Sequence, residues 1–237
     1  MPTSKKLLIL ANSIKHYPCV CIAGREITSV KSEYEIGPWI RPVSTHGEGE
    51  LSQSEITMTD GQTPEVMEFV DIPLRKCAAD PLQPENWIIV DTPKWKNISG
   101  HYAAPTLEEC VDNPDGLWLK SGERPDRISN AYLTKHPPTS SICLIKVTRV
   151  RIRFEWSSWE GQSKKRYRAI FKYKGVEYDL SITDPVFTDK YRKQFPAPGS
   201  RPIEFAITGE GGIYLCISLT PPLGGYHYKV VATIFDS

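Results

Sequence analysis

The sequence predicts a mainly β protein, and three observations carry that prediction. The chain has 237 residues with 20 prolines and 16 glycines, which punctuate it too often for long helices. Apolar and charged residues alternate cleanly over Arg149–Phe154, as in a strand with one face toward a core. The C-terminal part reads as three strands, a helix and at least two more strands, which is the order of an OB barrel. Hydrophobic residues make up 40% of the chain, enough for one large all-β core or two smaller ones.

From the N-terminus, residues 6–11 and 19–28 read as strands joined by a turn around His16-Tyr17-Pro18. Gly37-Pro38 opens a third strand, Trp39–Val43, and Pro42 marks it as an edge or its end. Residues 44–62 are a polar loop with a short helix, and Val66–Leu74 is a further strand. The segment 77–140 is cut by eight prolines. It holds an apolar element at Asn86–Val90, a short helix at Thr106–Val111 with Glu109 in the capping-box position, and the patch Leu117-Trp118-Leu119. It reads as an irregular Pro- and Trp-rich connector packed on the core by its tryptophans.

Ile142–Phe154 is a long strand, and Tyr167–Tyr173 and Val176–Ile182 flank a Lys174-Gly175 hairpin turn. Thr183 or Asp184 caps a helix that begins at Pro185 and presents Phe187, Tyr191 and Phe195 on one side. Ile203–Ile207 and Ile213–Leu219 are strands separated by a turn at Glu210-Gly211-Gly212, and Tyr226–Phe235 is the last strand. Tyr228 and Lys229 face opposite ways there, so only one of them can line a given site. His227 reads as structural.

Two groups of residues could carry function. The first is basic. Residues 1–140 hold 14 Lys/Arg against 19 Asp/Glu, whereas residues 141–237 hold 15 against 9. The excess concentrates in Lys146–Lys174, where ten cations face Glu155 and Glu160 alone. Arg149, Arg151 and Arg153 share one strand face; Arg166, Arg168, Lys172 and Lys174 share another. Trp156 and Trp159 fall in the loop between the strands and could stack on bases. Such a surface suits single-stranded DNA or RNA. The alternative is an ordinary solvated barrel face.

The second group lies at N-terminal strand ends: Asn12, Ser13, Lys15, Glu26, Trp39 and Arg41. These could surround a nucleotide-like ligand, with Trp39 stacking and Arg41 on a phosphate, as in a sensor or enzyme. Alternatively they form a buried hydrogen-bond network centred on an Arg41–Glu26 ion pair.

The sequence has no P-loop, no GxGxxG and no Ser–His signature, so no cofactor is implied and catalysis has little support. His16, Cys19 and Cys21, and His46 with Glu48 and Glu50, are weak metal patterns. Asp184 is explained by capping. The apolar run after Lys5-Lys6 is too short for a signal peptide, and no stretch is long enough to span a membrane, so a cytoplasmic protein with six reduced cysteines is expected. Exposed aromatics leave a protein-binding adaptor as a further alternative.

Several short pieces together resemble one family, the bacterial proteins carrying a dual OB-containing domain. They are LILANSIK at Leu8–Lys15, CIAGRE at Cys21–Glu26, WIRPVS at Trp39–Ser44, Glu85-Asn86-Trp87, YDLSITDP at Tyr178–Pro185, LCISL at Leu215–Leu219 and GYHYKVVA at Gly225–Ala232. The resemblance implies two OB-like barrels, one in residues 1–140 with the connector and one in residues 141–237. It also implies a nucleic-acid-related role beside bacterial defence systems, and it supplies no catalytic residues. The chain departs from the family pattern at Leu219-Thr220-Pro221-Pro222, where an acidic Gly-Glu-Pro is more usual.

Overall fold

The computed structural model describes residues 3–30, 33–76, 80–103, 105–159 and 162–236. The chain divides into two compact units: residues 1–111 with 137–141, and residues 112–136 with 142–237. The connector is thus shared out. Residues 112–136 belong with the second unit, where Leu117 is 1% exposed in the core.

In the first unit β1 (Thr3–His16), β2 (Cys19–Val30) and β3 (Glu33–Val43) form an antiparallel meander. A polar loop and the short helix α1 (Gln53–Ile56) lead into β4 (Phe69–Lys76), followed by β5 (Asn86–Ile89) and the two-residue β6 (Lys96–Asn97). β5 joins β3 in parallel and β4 in antiparallel, and β4 returns to β1. The ring β1-β2-β3-β5-β4 is therefore closed, in OB order. Leu7, Ile9, Ile22, Ile40, Val70, Ile72 and Trp95 fill it. Gly24, in the CIAGRE piece, has no room for a side chain because a β-carbon would collide with the carbonyl oxygen of Leu8. Pro42 lies beyond the last β2 pairing, Gly24↔Ile40, so its missing N–H costs the sheet no bond on that side.

The capping box at Thr106 and Glu109 forms as the sequence predicts, although the element it opens is a 3-10 turn, Leu107–Cys110.

The second unit begins with β7 (Arg127–Ser129) and α2 (Asn130–Lys135), both too short to carry a periodic signal. β8 (Ile142–Trp159), β9 (Gln162–Tyr173) and β10 (Val176–Ile182) form its meander. α3 (Pro185–Lys190) follows, then β11 (Ile203–Leu219) and β12 (Tyr226–Phe235). β10 pairs in parallel with β12, β12 with β11, and β11 with β8, so the order β8-β9-β10-β12-β11 repeats that of the first ring. β7 adds to the outside of β12.

Two local expectations hold. Asp184 caps α3, its Oδ1 accepting from the Phe187 N–H at 2.9 Å, and Lys174 and Gly175 both take positive φ at the hairpin turn. One expectation is corrected. Glu210-Gly211-Gly212 is not a hairpin turn but a bulge within the continuous β11, where pairing jumps from Thr208↔Arg149 to Ile213↔Val147. Gly212 holds φ +94 there, with the Lys146 side chain against it.

Candidate nucleic-acid interface

The alternation read from the sequence sorts β8 correctly. Val150, Ile152 and Phe154 are fully buried, while Arg149 and Arg151 are exposed and Arg153 is half-buried. On β9, Ala169, Phe171 and Tyr173 point inward; Arg166 and Lys172 are exposed and Arg168 is half-buried. Arg153 and Arg168 stand directly opposite each other. Two guanidinium groups so placed repel, and the fold inserts a carboxylate to relieve it. Asp179 on β10 accepts from Arg153 Nη2 at 2.7 Å through one oxygen and from Arg168 Nε at 2.7 Å through the other. Arg168 also donates to Ser181 Oγ at 2.9 Å and to the Asp179 carbonyl. Glu155 lies 3.2 Å from Arg153, and Glu204 on β11 lies 3.6 Å from Arg151.

The basic face is therefore not unrelieved by acids, as counting along Lys146–Lys174 suggests. Besides Glu155, its carboxylates come from β10 and β11, which lie outside that stretch in sequence and beside it in the barrel. Arg149, Lys164, Arg166 and Lys172 remain exposed, and among the described residues they make no ion pair.

Trp156 is not in a loop. β8 continues to Trp159, and Trp156 lies on the face opposite Arg153. Its ring meets Phe195 edge-on at 5.5 Å and its Nε1 donates to the Pro196 carbonyl at 2.9 Å. It belongs to an aromatic cluster with Phe154, Tyr167, Phe195 and Phe205, and Lys165 stands 4.9 Å from the Phe195 ring. Trp156 thus packs the segment after α3, at Phe195 and Pro196, onto the hairpin. The side chain of Trp159 lies outside the described residues.

The N-terminal group is dispersed. Glu26 pairs with Lys5 at 2.6 Å, and Lys5 also stands 4.3 Å from the Trp87 ring. Asn12 donates to the Pro64 carbonyl at 3.2 Å, and Ser13 is buried. Trp39 is 6% exposed, with the Arg25 guanidinium 5.6 Å from its ring. The side chain of Lys15 lies outside the described residues.

Arg41 is 8% exposed and its partner is Glu85, not Glu26: Nη2 is 3.0 Å from Glu85 Oε1 and 3.0 Å from Ser141 Oγ. Ser141 in turn donates its N–H to Glu85 at 3.2 Å and its hydroxyl to the same carboxylate. The Arg41 N–H also donates to the Glu85 carbonyl at 2.8 Å. The parallel β3–β5 register, Arg41↔Asn86, brings WIRPVS and Glu85-Asn86-Trp87 together, so this buried polar knot joins two of the quoted pieces.

The last strand holds a group that periodicity alone does not reveal. His227 and Lys229 point inward at 3% and 2% exposure. His227 Nδ1 is 2.8 Å from the Thr220 carbonyl and Nε2 is 2.9 Å from Asn130 Oδ1. Lys229 Nζ donates to the Pro125 carbonyl at 2.7 Å. Burial holds its pKa down, at about 8, against the opposing pull of Asp126 and Glu123. Tyr226 and Tyr228 point outward, and Arg127 on β7 lies 5.1 Å and 5.8 Å from their rings. The signal for this group is the alternation Tyr226, Tyr228; its missing half is Arg127, about a hundred residues earlier.

Among the described residues no cluster of His, Cys, Asp or Glu could hold a metal ion, and no helix is long and apolar enough to cross a membrane. The family model described as "dual OB-containing domain" matches residues 5–234. No curated protein matches the chain.

Proposed function

The chain belongs to the dual OB-containing domain family, and we propose that it binds nucleic acid through the outer face of its second barrel, on β8 and β9. OB folds are of the kind that binds nucleic acids or proteins. The finer reading rests on one observation: Arg149, Lys164, Arg166 and Lys172 stand exposed on the β8–β9 hairpin without ion-pair partners among the described residues. Beside them on the same face Arg153 and Arg168 are held by Asp179, so the charge left over for a ligand is that of the exposed cations. Desolvated contact with phosphates releases condensed counterions, which favours binding at low salt. A role in a bacterial defence or nucleic-acid-processing system, which the family resemblance implies, and the cytoplasmic location expected from the sequence belong to the same proposal.

The pocket reading has weaker support, because Arg41 is engaged with Glu85 and Ser141 away from solvent. Arg149, Arg166 and Lys172 changed together to Glu should abolish binding to labelled single-stranded DNA and RNA oligomers in an anisotropy titration, with the circular dichroism spectrum unchanged. Arg153 and Arg168 are unsuitable targets, since reversing either breaks the Asp179 bridge. Wild-type protein without salt-sensitive binding, or a triple variant that binds as the wild type does, would overturn the proposal.

A further inference from the structure

We infer that Tyr226 and Tyr228, with Arg127 beside both rings, form a base-stacking platform on the second barrel, and that the nucleic acid it takes is single-stranded; this rests on the reading above.

The register places the platform. Ser181 pairs with Arg168 on one side and with Val230 on the other. Directly paired residues share a sheet face, so Val230 faces outward with Arg168. The two-residue period carries that face along β12 to Tyr228 and Tyr226, while His227, Lys229 and Val231 point into the barrel. At about 4.8 Å per strand, the outer column of β12 lies roughly 10 Å from that of β9 where the strands are paired. A single strand of four or more nucleotides covers both columns. The carboxylates between them have counterparts: Asp179 holds Arg153 and Arg168, and Glu177 stands opposite Lys172.

The chemistry fits stacking better than packing. Tyr226 is 36% exposed although it is a large aromatic in a strand. The inward anchors His227 and Lys229 already tie β12 to the 125–130 segment, so the fold does not need the outer rings for that purpose. Arg127 pairs across the ladder with Tyr228, and its planar guanidinium beside both rings adds a cationic stacking surface. Tyrosines held this way lose little side-chain freedom on binding. An unpaired strand offers base faces to such rings, whereas a duplex keeps its bases stacked inside.

The test uses the full chain and three labelled probes of equal length: an oligothymidylate of about 15 nucleotides, an abasic oligomer with the same phosphates, and a duplex. Tyr226→Ala should weaken oligothymidylate binding by about tenfold and leave the abasic oligomer unchanged. Tyr226→Phe should restore binding and serves as the folded control. Wild-type protein should prefer the single strand to the duplex. Equal loss on both single-stranded probes, no loss on either, or equal affinity for duplex would overturn the inference while salt-sensitive binding by the wild type leaves the parent proposal standing. Wild-type protein that binds none of the probes would overturn both.

Discussion

Replacing Glu85 by Ala should be among the most damaging single changes in the first barrel. Arg41 and Glu85 are 8% and 4% exposed, and the carboxylate accepts from Arg41 and twice from Ser141. Removing it leaves a guanidinium, a hydroxyl and an N–H that have lost this acceptor in the interior. Breaking a buried pair from one side costs about 3–5 kcal/mol. At about 2–4 °C per kcal/mol for a chain of this size, the melting temperature should fall on the order of 10 °C. Glu26→Gln is the control. It removes only the Lys5–Glu26 pair, whose side chains are 14% and 25% exposed, and should cost about 1 kcal/mol or less. The double variant Arg41→Met/Glu85→Ala should be less destabilised than the two single costs added, because the second change removes the charge stranded by the first. Urea unfolding followed by tryptophan fluorescence reads the wild type, the three single variants (Arg41→Met among them) and the double variant. A Glu26→Gln cost equal to that of Glu85→Ala, or strict additivity in the cycle, would refute the assignment of Arg41 to Glu85.

Two pH dependences follow from buried Lys229 and half-buried Glu123 in the second unit. Burial depresses Lys229 to about 8, so the folded state sheds its proton before the unfolded chain does, whose lysines titrate at the ordinary value of 10.5. The unfolded state then binds more protons between those values, and stability should rise as pH climbs from about 8 toward 10; Lys229→Met should lose that rise in urea midpoints, and an unchanged rise in the variant would contradict it. Glu123 behaves in the opposite sense. Burial pushes its carboxyl up, but hydrogen bonds from Lys120 and Ser129 outweigh burial and hold it down at about 2, below the ordinary 4.5. Its contribution is full above pH 4.5 and is lost as pH falls toward 2. Glu123→Gln should flatten that part of the acid unfolding curve, and an identical acid limb in both proteins would contradict it.

Local signals were legible in the sequence where the causes are local. Asp184 before Pro185 sets a helix start because a carboxylate can reach the N–H three residues on, and Lys174-Gly175 makes a turn because glycine accepts positive φ. The alternation of Arg149, Arg151 and Arg153 with Val150, Ile152 and Phe154 fixes which side faces the core whatever the barrel's closure. What escaped depends on that closure. Asp179 answers Arg153 only because β10 lies beside β9, and Glu204 reaches Arg151 only because β11 returns to β8. Arg41 finds Glu85 through a parallel pairing that no nearby residue specifies. Trp156 reads as a loop tryptophan until the strand is seen to run past it and Phe195 to lie against it. The single charge balance of Lys146–Lys174 overstated the basic face for the same reason: carboxylates on neighbouring strands do not appear in a linear count.

The salt dependence of binding tests the central claim most directly. Four phosphate contacts from Arg149, Lys164, Arg166 and Lys172 predict that the logarithm of the association constant for a single strand falls with the logarithm of salt concentration at a slope of about −3. Each of these residues changed singly to Gln should make that slope shallower by roughly 0.7. A wild-type slope near zero, or one that stays the same in all four variants, would contradict the account.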